Sequence, residues 1–395
     1  MILRAPSLVG FFLVVVISVI AGPVAAAATA DYVIDVALDP LTHRLEGSER
    51  IRWTNTAEVP TDELYFHLYL NAFAGSETTF MREVAESPLR WFSGSAGDRG
   101  WTRITSIELG DGLDLLPALE FVRPDDGNPH DFTVARVALP REIRPGEVIE
   151  LDIEFEARLP WIAARTGHTG DFHLVAQWFP KLGVFEGEAG WNCHQFHATS
   201  EFFADFGSYE VTMTIPEGWV LGATGVEMGR VPAANGRQSV THLAQRVHDF
   251  AWCTAPPELM EVVESDFDPG RDVPMAWLDR ARSLLEMSPA DLELPPMQIR
   301  LLVPRTRRSL ADRMVRAARL SIAWYGLRFG AYPYPWLTVV SPPRGAGAAG
   351  GMEYPNFITT GTGNLVAFPP FSRSPGIEAV TVHEFGHQYF QGMLA

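Results

Sequence analysis

The sequence GIEAVTVHEFGHQYFQGML spans residues 376–394, close to the carboxyl end of a chain of 395 residues. Ser374–Pro375, directly before it, suits an N-cap and a first helical position, so the stretch predicts a helix. Because positions four apart lie on one helix face, the imidazoles of His383 and His387 can bind a single metal ion. Zinc suits two neutral imidazoles and lowers the pKa of a bound water, whose proton the neighbouring Glu384 can accept. The stretch therefore predicts a zinc-binding helix; the alternative is two surface histidines on an amphipathic helix.

Gly386 lies inside this predicted helix. Glycine in a helix interior costs about 1 kcal/mol relative to alanine. Close packing of another backbone near the metal would explain the residue, and we expect such a contact.

A second stretch, RGAGAAGGMEYP (Arg344–Pro355), contains the spacing G-x-G-x-x-G. A dinucleotide-binding fingerprint must open a helix and be followed about twenty residues later by an acidic residue. Here Pro355 argues against a helix, and the next acidic residue after the stretch is Glu378. The match to the fingerprint is therefore incidental. Gly350 and Gly351 lack a Cβ atom and so permit the close approach of another backbone.

The chain divides into two parts with different patterns. Residues 31–255 contain short segments that alternate apolar and polar side chains, such as YVIDVAL and VIELDIEFEARL, and predict an antiparallel β domain. A proline-rich passage follows, and residues 256–395 predict an α+β part. In this part Leu310, Met314, Ala317, Ser321 and Trp324 recur at helical spacing, which predicts a helix over Ser309–Leu327 with this stripe facing the core. Ser309 and Asp312 have the spacing of a capping box at its start.

Residues 1–30 have the layout of a cleavable export signal: Arg4, an apolar run over Leu8–Ile20, and then small residues. We therefore expect a periplasmic or secreted protein. An uncleaved membrane anchor is the alternative, although the apolar run is short for a bilayer span of about 20 residues.

The charge balance disfavours nucleic acid as a partner. The chain has 31 basic and 48 acidic residues, for a net charge of -17, and Lys181 is its one lysine. A phosphate-binding surface needs clustered basic side chains, and no such cluster is present.

Two cysteines, Cys193 and Cys253, leave a disulfide and a pair of buried thiols both open. Cys193, His194 and His197 lie close together in NCHQFH, but no second group of ligands is near in sequence, which favours a structural role over a metal site.

GGMEYP at Gly350–Pro355, followed thirty residues after Glu353 by HEFGHQYF, resembles the M1 family of zinc aminopeptidases, whose pattern is G-x-M-E-[N or Y] and then H-E-x-x-H. Segments such as QWFPKLGVFE, VHDFAW and FGAYPYPWLTVV extend the resemblance to bacterial members over nearly all of the mature chain. The resemblance implies a multidomain fold, in which the N-terminal antiparallel β domain is followed by the first part of a thermolysin-like α+β catalytic domain.

The resemblance also implies roles for individual residues. His383 and His387 would be ligands of Zn²⁺ and Glu384 the general base. Glu353 would bind the free α-amino group of a peptide substrate. The backbone of Gly350, Gly351 and Met352 would align the peptide as an added strand.

One departure from the family pattern concerns the third zinc ligand. This glutamate is separated from the second histidine by eighteen residues, which corresponds to position 406, beyond Ala395. The family's transition-state tyrosine lies further downstream. We therefore expect the 395 residues to be the N-terminal portion of an aminopeptidase, with little or no activity when isolated. The alternative is a noncatalytic peptide-binding or scaffold protein with the same fold.

Overall fold

The computed structural model describes residues 29–86, 99–285, 288, 290–361 and 375–393. Nearly all of the predicted export signal, and Ser374 at the predicted helix start, lie outside these residues. Within the described residues, no helix is long and apolar enough to cross a membrane.

Within the described residues, strands predominate over helices. The first twelve strands are β1 (Ala30–Asp39), β2 (Arg44–Thr54), β3 (Thr61–His67), β4 (Trp101–Leu109), β5 (Leu119–Val122), β6 (Val134–Ile143), β7 (Val148–Arg158), β8 (Gly167–Thr169), β9 (Phe172–Val175), β10 (Lys181–Leu182), β11 (Val184–Phe185) and β12 (Trp191–Asn192). The remaining strands are β13 (Gly207–Pro216), β14 (Val220–Ala223), β15 (Val226–Ala233), β16 (Arg237–Val247), β17 (Trp252–Ala255), β18 (Met260–Phe267), β19 (Met297–Pro304), β20 (Trp336–Val340), β21 (Met352–Tyr354) and β22 (Phe357–Thr359). The α-helices are α1 (Thr79–Glu86), α2 (Pro269–Asp272), α3 (Met275–Leu285), α4 (Ala311–Phe329) and α5 (Gly376–Phe390).

A seven-stranded sheet in the order β15-β16-β13-β1-β2-β7-β4 forms the largest unit of the first half. In β1 the side chains of Tyr32, Ile34, Val36 and Leu38 are buried, as period-two alternation requires for a strand with one face on a core. A four-stranded sheet, β10-β3-β6-β5, contributes Phe66 and its neighbours to the same apolar cluster.

The prediction of a purely antiparallel first half was wrong at one pair of strands. β1 lies parallel to β13, with Tyr32 opposite Tyr209 and Ala37 opposite Thr214. The other strand pairs described in this half are antiparallel. Residue alternation predicts a strand but not its partner, and these two strands are far apart in sequence.

A five-stranded mixed sheet in the order β18-β19-β20-β22-β21 forms the framework of the second half. A further four-stranded sheet, β14-β17-β9-β8, packs beside it, and one buried cluster joins Leu174 and Cys253 of that sheet to Val340 and Tyr354 of the five-stranded sheet. The predicted boundary at residue 255 falls between β17 and β18 and stays a prediction, because this core is shared.

α4 differs from its predicted form at its start and in one residue of the predicted core stripe. A 3-10 turn, Arg305–Leu310, precedes it, so that Leu310 occupies the N-cap position without a side-chain cap hydrogen bond. The predicted capping box of Ser309 and Asp312 is therefore wrong. Four members of the predicted core stripe are buried, but Trp324 is 37% exposed. Its indole instead contacts the Arg328 guanidinium, which lies 3.9 Å from the ring centroid.

Cys193 and Cys253 are both free and buried in the structure. Burial raises the pKa of both thiols. Of the two possibilities that the sequence leaves open, the structure has the pair of buried thiols.

Candidate metal and peptide site

α5 places His383 and His387 one turn apart on the same face. Their Nε2 atoms are 3.2 Å apart. Two nitrogens bound to one tetrahedral zinc ion, each at about 2.0–2.1 Å, would be about 3.3 Å apart, so the pair fits that ion. Among the residues that the structure describes, His383, Glu384 and His387 are the group whose ligand atoms, all within 4.8 Å of one another, could hold a metal ion.

Glu384 lies beside this pair but is only 5% exposed. Burial, with a smaller contribution from the nearby Glu353 carboxylate, raises the pKa of its carboxyl group to about 7, and the Arg165 guanidinium opposes this rise. A carboxyl group with a pKa near neutrality can both accept and return a proton.

β21 borders Glu384 at the edge of the five-stranded sheet, with β22 on its other side. Met352 and Tyr354 point into the buried apolar cluster, so Glu353 between them points to the opposite face. At Gly351, φ is +72°, and a Cβ atom there would lie 3.4 Å from the Glu384 carboxylate oxygen. A glycine at this position thus keeps the strand close to Glu384.

The stretch before β21 forms a short 3-10 turn, Gly347–Ala349, followed by β21. No helix begins there, in agreement with the interpretation of the glycine spacing as incidental.

Gln388, which the sequence interpretation missed, holds α5 against β21. Its side-chain amide donates to the carbonyl oxygens of Glu353, at 3.0 Å, and Tyr354, at 3.1 Å. Its side-chain oxygen accepts from the Asn356 backbone N–H at 2.7 Å and the Tyr332 hydroxyl at 2.9 Å. The residue after His387 thereby fixes Glu353 relative to the two histidines.

Gly386 packs against a side chain rather than the predicted backbone. A Cβ atom at this position would lie 2.4 Å from the hydroxyl oxygen of Tyr325, on α4. The expectation of a tight contact was correct, but the partner was wrong.

The second histidine cluster of the sequence, His194 and His197, forms hydrogen bonds instead of a metal group. His194 Nδ1 lies 2.5 Å from one oxygen of Asp125, and His197 Nε2 lies 3.3 Å from the other. His197 Nδ1 also lies 2.6 Å from the Glu83 carboxylate. The Glu83 bond holds the 192–201 segment to α1, and the Asp125 bonds hold it to the connection between β5 and β6, which is a structural role.

A cleft with a volume of about 620 Å³ opens beside Gly350 and Gly351. Its other walls come from the first half of the chain and include Arg165 and Glu201. Gly351, beside the cleft, lies next to Glu384, since a Cβ atom there would be 3.4 Å from the Glu384 carboxylate oxygen. The sequence interpretation did not identify either of these wall residues.

No protein-family model matches the sequence, and a comparison with curated proteins gives no match. Solved structures do match the fold. One is a mutant of a two-domain M1 zinc metallopeptidase bound to L-tryptophan, with a TM-score of 0.51 and 16% identity over 92% of this chain and 64% of that chain. Another is an M1 zinc metallopeptidase from Deinococcus radiodurans, with a TM-score of 0.51 and 15% identity over 92% of this chain and 63% of that chain.

The chain therefore has the fold of M1 zinc metallopeptidases, and the resemblance seen in the sequence is confirmed at the level of the fold. The match spans less than two thirds of the length of these neighbours, at 64% and 63%.

Proposed function

We propose that this chain is the N-terminal portion of an exported zinc-dependent aminopeptidase, which removes residues from the amino end of peptides. The observation that carries the proposal is the placement of the His383 and His387 nitrogens, 3.2 Å apart, beside buried Glu384 and the edge strand β21.

His383 and His387 would hold the zinc ion, which when bound polarises a carbonyl group and acidifies water. Glu384 accepts a proton from the attacking water and returns it to the leaving amine, for which a pKa of about 7 is suited.

Glu353 selects the chain end of the substrate. A carboxylate about 4 Å from an ammonium group in a partly shielded site gains about 4 kcal/mol before desolvation is subtracted. Among the strands that the structure describes, β21 pairs on one side only, so a peptide can pair with its other side as an added strand and keep its amino end at Glu353.

The alternative is a peptide-binding or scaffold protein without catalytic activity. The described residues supply two imidazoles for the metal, whereas catalytic zinc sites have three protein ligands. On either proposal we expect the isolated chain to turn over little substrate.

Calorimetric titration of the zinc-loaded chain with Ala-Ala-Ala and its N-acetylated form tests amino-end recognition. We expect the free peptide to bind about tenfold more tightly, which corresponds to about 1.4 kcal/mol. Glu353→Gln should abolish the difference, while Glu210→Gln, an exposed glutamate on β13, should preserve it. Equal affinity for both peptides would contradict the proposal.

An assay with aminoacyl-coumarin substrates separates catalysis from binding alone. Turnover comparable to that of a complete M1 aminopeptidase would contradict the expected inactivity of the isolated chain.

A further inference from the structure

We propose that the cleft beside Gly350 and Gly351 selects an uncharged, apolar side chain at one of the first two positions of the peptide, and that the Arg165–Glu201 ion pair determines this selectivity. The inference rests on the proposed function, because it requires a peptide along β21.

The lining of the cleft is largely apolar. Phenylalanine and alanine side chains from the first half of the chain supply much of its surface, and Ala348 completes it beside the glycines. Phe196 stacks on Phe80 and on Phe202, with ring centroids 4.9 and 5.0 Å apart. This wall favours an apolar side chain, since burying one removes apolar surface from water on both sides.

The charged groups that the structure describes along this lining neutralise or satisfy one another. Arg165 binds the Glu201 carboxylate at 2.5 Å. Glu83 accepts hydrogen bonds at both oxygens, from His197 at 2.6 Å and from the Ala198 backbone N–H at 2.7 Å. A charged substrate side chain would therefore have to break an existing pair, while an apolar one would not.

The backbone at Arg165 is held in a conformation that ordinary side chains rarely adopt. Ala164 has φ of +35° and Arg165 has φ of +72°. The Arg165 N–H donates to the Ala348 carbonyl at 2.9 Å, and its carbonyl accepts from the Tyr354 hydroxyl at 3.0 Å. Strain of this kind persists where the surroundings impose it, typically at ligand sites. The two hydrogen bonds fix Arg165 relative to the 3-10 turn Gly347–Ala349 and to β21.

The test compares affinities for alanine tripeptides that carry Phe, Glu or Arg at position one or two. We expect the zinc-loaded chain to favour Phe at one of these positions. Glu201→Gln leaves the Arg165 guanidinium without its carboxylate partner, so the affinity for the Glu peptide should rise about fivefold relative to that for the Phe peptide. This factor corresponds to about 1 kcal/mol, the value expected for a half-exposed ion pair. Arg165→Gln should raise the relative affinity for the Arg peptide by a similar factor.

Two controls make the test specific. Arg50→Gln and Asp152→Asn disrupt an exposed ion pair on β2 and β7 and should leave the order of preference unchanged. The charge-swapped double variant Arg165→Glu with Glu201→Arg keeps a pair and should restore the preference for Phe.

The outcomes separate the two proposals. If no tripeptide binds, including Ala-Ala-Ala, the proposed function itself is wrong. If the tripeptides bind but those with Phe, Glu and Arg bind equally, the cleft does not select apolar side chains. If Glu201→Gln and Arg165→Gln each change the affinity for all tripeptides by the same factor, the ion pair does not determine the selectivity.

Discussion

Gln388 is the residue on which the geometry of the candidate site depends most. Its buried side chain makes four hydrogen bonds that join α5 to β21, to Asn356 and to Tyr332. A polar residue directly after HEFGH is visible in the sequence, but its partners are mainly backbone groups some thirty residues earlier. Such partners follow from the fold and not from any residue pattern.

Replacing Gln388 by alanine should therefore destabilise the protein. Buried backbone groups would lose their partners, and we expect a loss of about 3 kcal/mol in the free energy of unfolding. Urea denaturation followed by circular dichroism measures it. Gln298→Ala, at an exposed position in β19, is the matched control and should change stability little. A loss below about 1 kcal/mol for the Gln388 variant would contradict the assigned role.

Among the elements, the packing of α5 on α4 explains the glycine at position 386 of α5. The Tyr325 ring stacks on Tyr389, with centroids 5.7 Å apart, and its hydroxyl fills the space where a side chain at residue 386 would lie. Helical periodicity predicted α4, and the Ser374–Pro375 start signal predicted α5. The periodicity did not predict the α4 start or the exposure of Trp324, because a 3-10 turn replaces the expected cap and one end of the predicted stripe lies outside the core.

Gly386→Ala should cost about 1–3 kcal/mol of unfolding free energy, since the overlap with Tyr325 outweighs the gain in helix propensity. Tyr325→Phe removes the hydroxyl oxygen, which would lie 2.4 Å from the new Cβ atom, but keeps the ring carbon that would lie 3.0 Å from it. The double variant should therefore recover part of the stability that Gly386→Ala loses. Thermal unfolding of the two single variants and the double variant measures the coupling. Strictly additive losses would show that the contact with Tyr325 is not the cause.

Across the molecule, the sequence predicted several of the strands, β1 and β7 among them, and the position of helix α5. These follow from short-range patterns: period-two alternation in β1 and β7, and a four-residue spacing in α5. It could not predict the parallel pairing of β1 with β13 or the cleft that Arg165 and Glu201 line. Both depend on contacts between residues distant in sequence, which composition and spacing do not encode.

Buried histidines should make the whole molecule sensitive to acid. Burial, as the main cause, lowers the pKa of His67 and His173 to about 3 and that of His242 and His248 to about 4. An unfolded histidine has a pKa of about 6.5, so between this value and about 3–4 the unfolded chain binds more protons. The four buried histidines therefore lower the free energy of unfolding as the pH falls from about 6.5 to about 3–4.

His67→Phe isolates one of these contributions. The ring still stacks on Tyr69, whose centroid lies 4.5 Å from that of His67, but it no longer titrates. Between pH 7.5 and pH 5 we expect the variant to lose about 2 kcal/mol less unfolding free energy than the wild type. Urea denaturation at the two pH values gives the difference. Identical losses would show that His67 does not remain neutral in the folded protein.

The zinc content and zinc affinity of the purified chain, measured after dialysis against a competing chelator, test whether α5 carries a zinc site. We predict one zinc ion per chain, and its loss in both His383→Phe and His387→Phe. His130→Phe, an exposed histidine outside the site, should retain the ion. Zinc binding by the wild type that is no tighter than by the two α5 variants would show that His383 and His387 do not form a zinc site.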